Sequence, residues 1–171
     1  MTRSRWRAHG VGILVVLLTL ALCGCGSSSK PRAHDALLEI PVPTSVTVKV
    51  RQDPVLGPIL VDGKGMTLYM FPPDAGSRVT CTGACAGTWP PLVIADGDSP
   101  TAGSGVNGAD LGTLADPNTG ADVVTYGGYP LYRYAGDVAP GTANGQALYL
   151  NGGPWYVLNP DLQPVTLKPS Q

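Results

Sequence analysis

Asp53-Pro54-Val55-Leu56-Gly57 opens a stretch that runs through Gly65 and Leu68-Tyr69-Met70-Phe71 to Pro72-Pro73-Asp74, and the chain repeats it 63 residues later. Asp116-Pro117-Asn118-Thr119-Gly120 stands against the first five residues. Gly128 stands against Gly65, Leu131-Tyr132 against Leu68-Tyr69, Tyr134 against Phe71 and Asp137 against Asp74, with no gap. Identity at that density exceeds chance and implies a duplicated supersecondary unit. Past Asp74 and Asp137 the halves diverge, and Trp89 matches Trp155 only if about three residues are inserted, as per-repeat insertions in loops allow.

Each copy reads as strand, turn, strand, turn, strand. Val46-Thr47-Val48-Lys49-Val50 alternates and is rich in β-branched residues. Asp-Pro-x-x-Gly makes a hairpin connection, with Pro setting φ and Gly supplying positive φ. Ile59–Val61 and Met66–Phe71 give the next two strands of the first copy. Leu111–Leu114, Val123–Tyr126 and Pro130–Tyr134 take those places in the second, with Gly127-Gly128 at a turn. Ala147–Leu150 and Trp155–Leu158 add further strands. No segment past the first thirty residues sustains helical periodicity with caps. The expected fold is all-β: a single domain of two pseudo-equivalent β-meander repeats, residues 46–167, with repeat 1 at 46–94 and repeat 2 at 109–160, followed by a tail at 168–171.

Composition agrees with a packed, turn-rich domain. The 171 residues include 23 Gly and 17 Pro, 43 % are hydrophobic and only 13 % charged. A disordered chain is more charged and less apolar, and no Gly-x-y period supports collagen. Upstream, Arg3, Arg5 and Arg7 precede an uncharged run from Val11 to Leu22. Twelve residues fall short of the roughly 20 that span a bilayer core, and suit the h-region of a secretory signal. Leu22-Cys23-Gly24-Cys25 resembles a lipobox with small Gly24 before the acceptor, whereas bulky Leu22 disfavours processing at Cys23. The expectation is a signal peptide at 1–24, diacylglycerol on Cys25 and a Ser/Pro-rich stalk at 25–45, holding the domain at the outer side of a membrane. Plain secretion with unmodified cysteines is the competing reading. Removing 1–24 takes away three arginines and no acid, moving the net charge from −1 to −4. That balance argues against nucleic acid as a partner.

Tyr69-Met70-Phe71-Pro72-Pro73-Asp74 and Tyr132-Arg133-Tyr134-Ala135-Gly136-Asp137 both fit Y-x-(F/W/Y)-x-x-D. With Cys81-Thr82-Gly83-Ala84-Cys85 and Trp89-Pro90-Pro91-Leu92, this resembles the bacterial secreted-repeat lipoprotein family that carries a Yx(FWY)xxD motif. The likeness runs from Pro58 to Pro160 and ends on Trp155-Tyr156-Val157. It implies an extracytoplasmic β-repeat protein, and it implies no catalytic residues.

On a strand, Tyr69 and Phe71 share one face and Leu68 and Met70 the other. Arg133 lies on the second face in the second copy and is expected to reach water, so the Tyr132/Tyr134 face is the better candidate for burial. Tyr69, Phe71, Asp74, Trp89, Tyr132, Tyr134, Asp137 and Trp155 therefore have two readings. Either they fill equivalent core places with each Asp accepting turn N–H groups, or they form a paired ligand site for a sugar, a ring or a cation. Cys81 and Cys85, three residues apart in an exported chain, are expected to form a structural disulfide. A redox role needs a stabilised thiolate, and Arg78 is the only cation near them in sequence.

His9 and His34 both precede the domain, which removes most histidine chemistry and zinc. Asp96 and Asp98 lie in the Gly/Ser-rich loop from Ala95 to Gly108, with Asp110 just after it, but the set lacks the EF-hand pattern, so no metal is expected. Gly103-Ser104-Gly105-Val106-Asn107-Gly108 spaces its glycines like a phosphate loop without the strand-loop-helix context, and reads as a linker. Asp74 and Asp137 stand in matched positions beside turns, which keeps carboxylate-pair glycosidase chemistry open. No Ser-His-Asp or Ser-x-x-Lys set occurs. The expectation is a non-enzymatic binding or structural module without a cofactor, anchored to the membrane through Cys25, its protein or small-molecule partner unspecified. The alternative is an envelope redox or small-molecule-handling protein accessory to electron transfer.

Overall fold

A computed structural model describes residues 45–75 and 77–167; Cys25, the signal and the stalk as far as Thr44 lie outside the described residues. Two hairpins form the frame. Strands β1 (Thr47–Asp53) and β2 (Gly57–Asp62) pair antiparallel, with Arg51 opposite Ile59. Between them Asp53 Oδ1 accepts the N–H groups of Val55 and Leu56, both at 3.0 Å, and Gly57 takes φ +77°. That is the work of an Asx turn closed by a left-handed glycine. The second hairpin repeats the device. Asp116 Oδ1 accepts Asn118 N–H at 2.8 Å, and Gly120 takes φ +74°.

The other strands are short: β3 (Tyr69–Met70), β4 (Val93–Ile94), β5 (Thr101–Ala102), β6 (Leu111–Ala115), β7 (Asp122–Tyr126), β8 (Tyr129–Pro130), β9 (Tyr149–Leu150), β10 (Gly153–Pro154) and β11 (Tyr156–Val157). A five-residue helix, α1 (Ala84–Thr88), follows Gly83 and carries the second cysteine, Cys85, in its first turn. The fold is all-β, with antiparallel pairing between every strand pair except β1 and β5.

The pairing registers refine the repeat. Val48 faces Asp62 in the first hairpin and Leu111 faces Tyr126 in the second, so β1 maps onto β6 at 63 residues while β2 maps onto β7 at 64. Leu68 N–H donates to Leu60 O and Leu131 N–H to Val124 O, which returns the offset to 63. The second hairpin loop carries one extra residue, and Gly127-Gly128 turns in one residue fewer than Gly63-Lys64-Gly65. The ungapped alignment therefore slips by one along β2 and β7.

Neither repeat is a self-contained meander. The segment after the disulfide of repeat 1 belongs to the sheet of repeat 2: β4 pairs with β7, and Leu92 donates to Leu131 O and accepts from Val124 N–H, each at 2.8 Å. Conversely, β11 of repeat 2 pairs with β3 of repeat 1, and Leu158 O accepts Leu60 N–H at 2.9 Å. At the centre Tyr69 and Tyr132 exchange both backbone bonds, N–H to O at 2.9 and 3.0 Å. The two halves thus meet as the halves of an isologous dimer do, around a pseudo-two-fold axis through that pair.

Both faces of the motif strands are buried, which corrects the expectation of one wet face. Leu68, Met70 and Leu131 join Val48, Leu60 and Tyr126 in one apolar cluster, while Tyr69, Phe71 and Tyr132 join the tryptophans in another. Arg133 is half-buried and does not simply reach water. Its Nε donates to Asp62 Oδ2 at 2.8 Å, and Nη2 lies 2.6 Å from the same oxygen. The expected strands at Met66–Phe71 and Pro130–Tyr134 shorten because Pro72-Pro73 turns the first into a 3₁₀ turn and β8 ends at Pro130. The loop from Ala95 to Gly108 is more than a linker: β5 lies parallel to β1, and a Cβ on Gly103 would sit 2.7 Å from Lys49 Cβ, so only glycine permits that approach.

Candidate functional site

The axis that joins the repeats also gathers the motif side chains. Tyr69 Oη donates to Asp137 Oδ2 at 2.6 Å, and Tyr132 Oη donates to Asp74 Oδ2 at 2.6 Å. Each phenol reaches the acid of the other repeat, 68 and 58 residues away. The second oxygen of each acid closes its own loop: Asp74 Oδ1 accepts Thr80 N–H at 2.8 Å and the Thr80 hydroxyl, and Asp137 Oδ1 accepts Asn144 N–H at 2.8 Å. Asp74 is fully buried and Asp137 is 5 % exposed, so these bonds stand in for the lost water.

The rings interleave in the same exchanged sense. Phe71 stacks on Trp155 (4.3 Å between centroids, 16°), Trp155 on Trp89 (3.9 Å, 1°), and Trp89 on Tyr134 (4.4 Å, 32°). Alternate rings thus come from repeats 1, 2, 1 and 2. Tyr69 meets Trp89 edge-on at 5.4 Å, and Tyr132 meets Trp155 edge-on at 5.2 Å, an arrangement the ring quadrupoles favour. Gly145 packs so closely here that a Cβ would lie 2.8 Å from the Trp89 ring, and its N–H donates to Tyr69 Oη at 3.2 Å. One difference breaks the symmetry. Trp155 Nε1 donates to Leu150 O at 3.1 Å, whereas Trp89 Nε1 is buried without a partner among the described residues.

Cys81 and Cys85 are disulfide-bonded with Cα atoms 5.2 Å apart. Cys81 is buried in the ring cluster, Cys85 half-buried beside it, and Trp89 N–H donates to Cys85 O. The bridge and α1 place Trp89 in the stack. Residues that sequence reasoning missed are the polar ones that close the site. Besides Thr80 and Asn144, buried Gln146 donates to Val165 O and to Leu167 O at 2.8 Å and accepts Val157 N–H at 2.8 Å. A polar side chain outside a repeated motif carries no periodic signal, so the bonds of Thr80 and Asn144 to the acids six and seven residues before them were not legible.

Desolvation first, then the hydrogen bond to the partner acid, hold Tyr69 and Tyr132 well above the ordinary phenol value of 10.0. A folded-state value above the unfolded one stabilises fully at pH below about 10, and that contribution is lost as pH rises further, because the unfolded chain then releases protons that the folded chain keeps. In an absorbance titration of the seven tyrosines, Tyr69 and Tyr132 are expected to ionise only as near-UV circular dichroism collapses. Ionisation of all seven near pH 10 with the fold intact would refute the buried pairing.

The remaining candidates do not converge. Among the described residues, no group of three or more His, Cys, Asp or Glu side chains is placed to hold a metal ion. Asp110 instead accepts a bond from the Asn107 side chain at 2.8 Å. No described helix is long and apolar enough to cross a membrane.

No curated protein and no solved structure is significantly similar to the chain. Residues 51–93 and 113–159, together more than half of the chain, match a family description. Those two segments are the two halves that exchange strands, and the chain belongs to the family described as a secreted repeat of unknown function.

Proposed function

We propose that the protein is an extracytoplasmic lipoprotein: residues 1–24 are removed, Cys25 carries the lipid, residues 25–45 act as a tether, and the doubled β domain serves as a non-enzymatic binding or structural module. What supports the module reading is the fate of the motif. Both acids and both phenols of Y-x-(F/W/Y)-x-x-D are spent on buried bonds between the repeats. Such groups hold a platform rigid: each phenol proton is committed to the acid of the other repeat, and both oxygens of each acid already accept a bond from within the protein. The family description supports an address outside the cytoplasm, and Cys25 after a lipobox-like run supports the anchor, since multiple acyl chains on one residue bind a bilayer firmly where a single chain is marginal.

The test has two arms in one bacterial host. Wild-type protein is expected in the membrane fraction with an acylated amino terminus, and Cys25→Ala in the medium or as unprocessed precursor. Unchanged membrane retention of the variant would refute the anchor. In the second arm, Tyr69→Phe leaves Asp137 without its phenol donor, and the expected loss is about 1.5–3 kcal/mol, read from urea unfolding. An unchanged midpoint would return the motif to the role of an open ligand site.

A further inference from the structure

The pseudo-two-fold axis makes each half a control for the other, and the surface around Arg51 and Leu114 is a further place where the match breaks. In the first half, Arg51 is tucked between β1 and the loop at Thr142. Its guanidinium reaches Asp53 at 3.2 Å and Thr67 Oγ1 at 3.5 Å, and Thr67 Oγ1 donates to Thr142 O at 2.5 Å. The register assigns Leu114 as the counterpart of Arg51, Pro130 as that of Thr67, and Arg78 as that of Thr142. The loops dock alike: a Cβ on Gly65 would lie 3.3 Å from Pro140, and one on Gly128 would lie 3.1 Å from Ser77 Oγ. Among the described residues no such stitch closes the second half. There a cleft of about 310 Å³ opens between Ser77-Arg78-Val79 and Leu114, Ala115 and Pro117.

Its chemistry is split. Val79, Leu114, Ala115 and Pro117 make an apolar floor, and Arg78 stands at the edge. Arg51 and Arg133 each have a carboxylate partner, while Arg78 has none among the described residues. We infer that this cleft is a ligand site for a small organic carboxylate, with the apolar body on Leu114, Val79 and Pro117 and the head group on Arg78. Apolar walls of this size with one placed polar group are the usual make-up of a small-molecule site, and a guanidinium matches a carboxylate bidentately. The inference rests on the reading of the domain as a binding module and names its ligand class.

The test uses full-length protein in lipid nanodiscs with two probes of one shape, 2-naphthoate and 2-naphthylmethylammonium. Saturation-transfer NMR and titration are expected to show naphthoate bound, and the ammonium at least about tenfold weaker. Arg78→Ala is expected to weaken naphthoate about tenfold. Leu114→Arg installs the residue that the other half already accommodates, and is expected to abolish binding with the melting temperature retained. Equal binding of both probes, no naphthoate signal above empty discs, or a signal that survives both substitutions overturns the proposal. Any of these leaves the fractionation of Cys25→Ala untouched, so the site and the anchor fail separately.

Discussion

Trp155→Ala is expected to lower the unfolding midpoint by about 10 °C or more, because it removes a ring from the middle of the stack. Trp155 is fully buried and touches rings from both repeats, stacking on Phe71 and Trp89 and meeting Tyr132 edge-on. Truncating a buried tryptophan costs about 3–5 kcal/mol, against a total of about 5–15 for a whole domain. The pseudo-symmetry supplies the comparison. Trp89→Ala removes an equally buried ring but also an indole N–H that has no partner among the described residues, whereas Trp155→Ala strips Leu150 O of its donor. The second loss is therefore expected to exceed the first by about 1 kcal/mol. Paired urea titrations of the two variants decide it. Equal losses would mean that the Trp155–Leu150 bond contributes nothing, and a midpoint for Trp155→Ala within about 3 °C of wild type would mean that the stack is not what joins the halves.

The hairpins were legible because their signals are local. Asp-Pro-x-x-Gly twice, flanked by β-branched alternation, specifies the turn through one carboxylate and one left-handed glycine, and both features stand where the sequence places them. Which copy answers which was not legible. Tyr69 lies five residues from Asp74 and 68 from Asp137, and identical motifs give no reason to prefer the distant acid; only the axis through Tyr69 and Tyr132 does. The slip along β2 and β7 escaped notice because a longer loop and a shorter turn cancel within one ungapped alignment. Arg133 misled for a related reason. A charge on a strand reads as a wet face until its partner is known, and Asp62 stands 71 residues away. Helix α1 carries no cap and no apolar period; it follows left-handed Gly83 inside the Cys81–Cys85 loop, a constraint that propensity does not encode.

Cutting the chain between Val106 and Asn107 tests the exchange most severely. The site leaves β5 with its partner β1, and leaves Asn107 to accept Ala109 N–H in the second half. A protease site placed there and cleaved after folding is expected to leave a nicked protein that elutes as one species with native near-UV circular dichroism. Separated in denaturant, each fragment is expected to stay unfolded on dilution. The fragment ending at Val106 keeps β3 without β11 and leaves Trp89 without Trp155 and Tyr134; fragment 107–171 keeps β7 without β4 and leaves Asp137 without Tyr69. An unfilled stack and a buried carboxylate without its donor are each costs that a half-sized core does not offset. Mixing restores every missing partner at once, so recovery is expected to be cooperative and to sharpen with concentration, as it does when folding and association are one step. If either fragment alone regains native near-UV dichroism, or if the mixture recovers at a rate independent of concentration, each repeat closes its own core and the exchanged strands are incidental. A fragment pair carrying Tyr69→Phe is then the finer measure: it weakens association without touching either hairpin, and the shift in the concentration for half-recovery reports the bonds of the Tyr69 hydroxyl to Asp137 and Gly145.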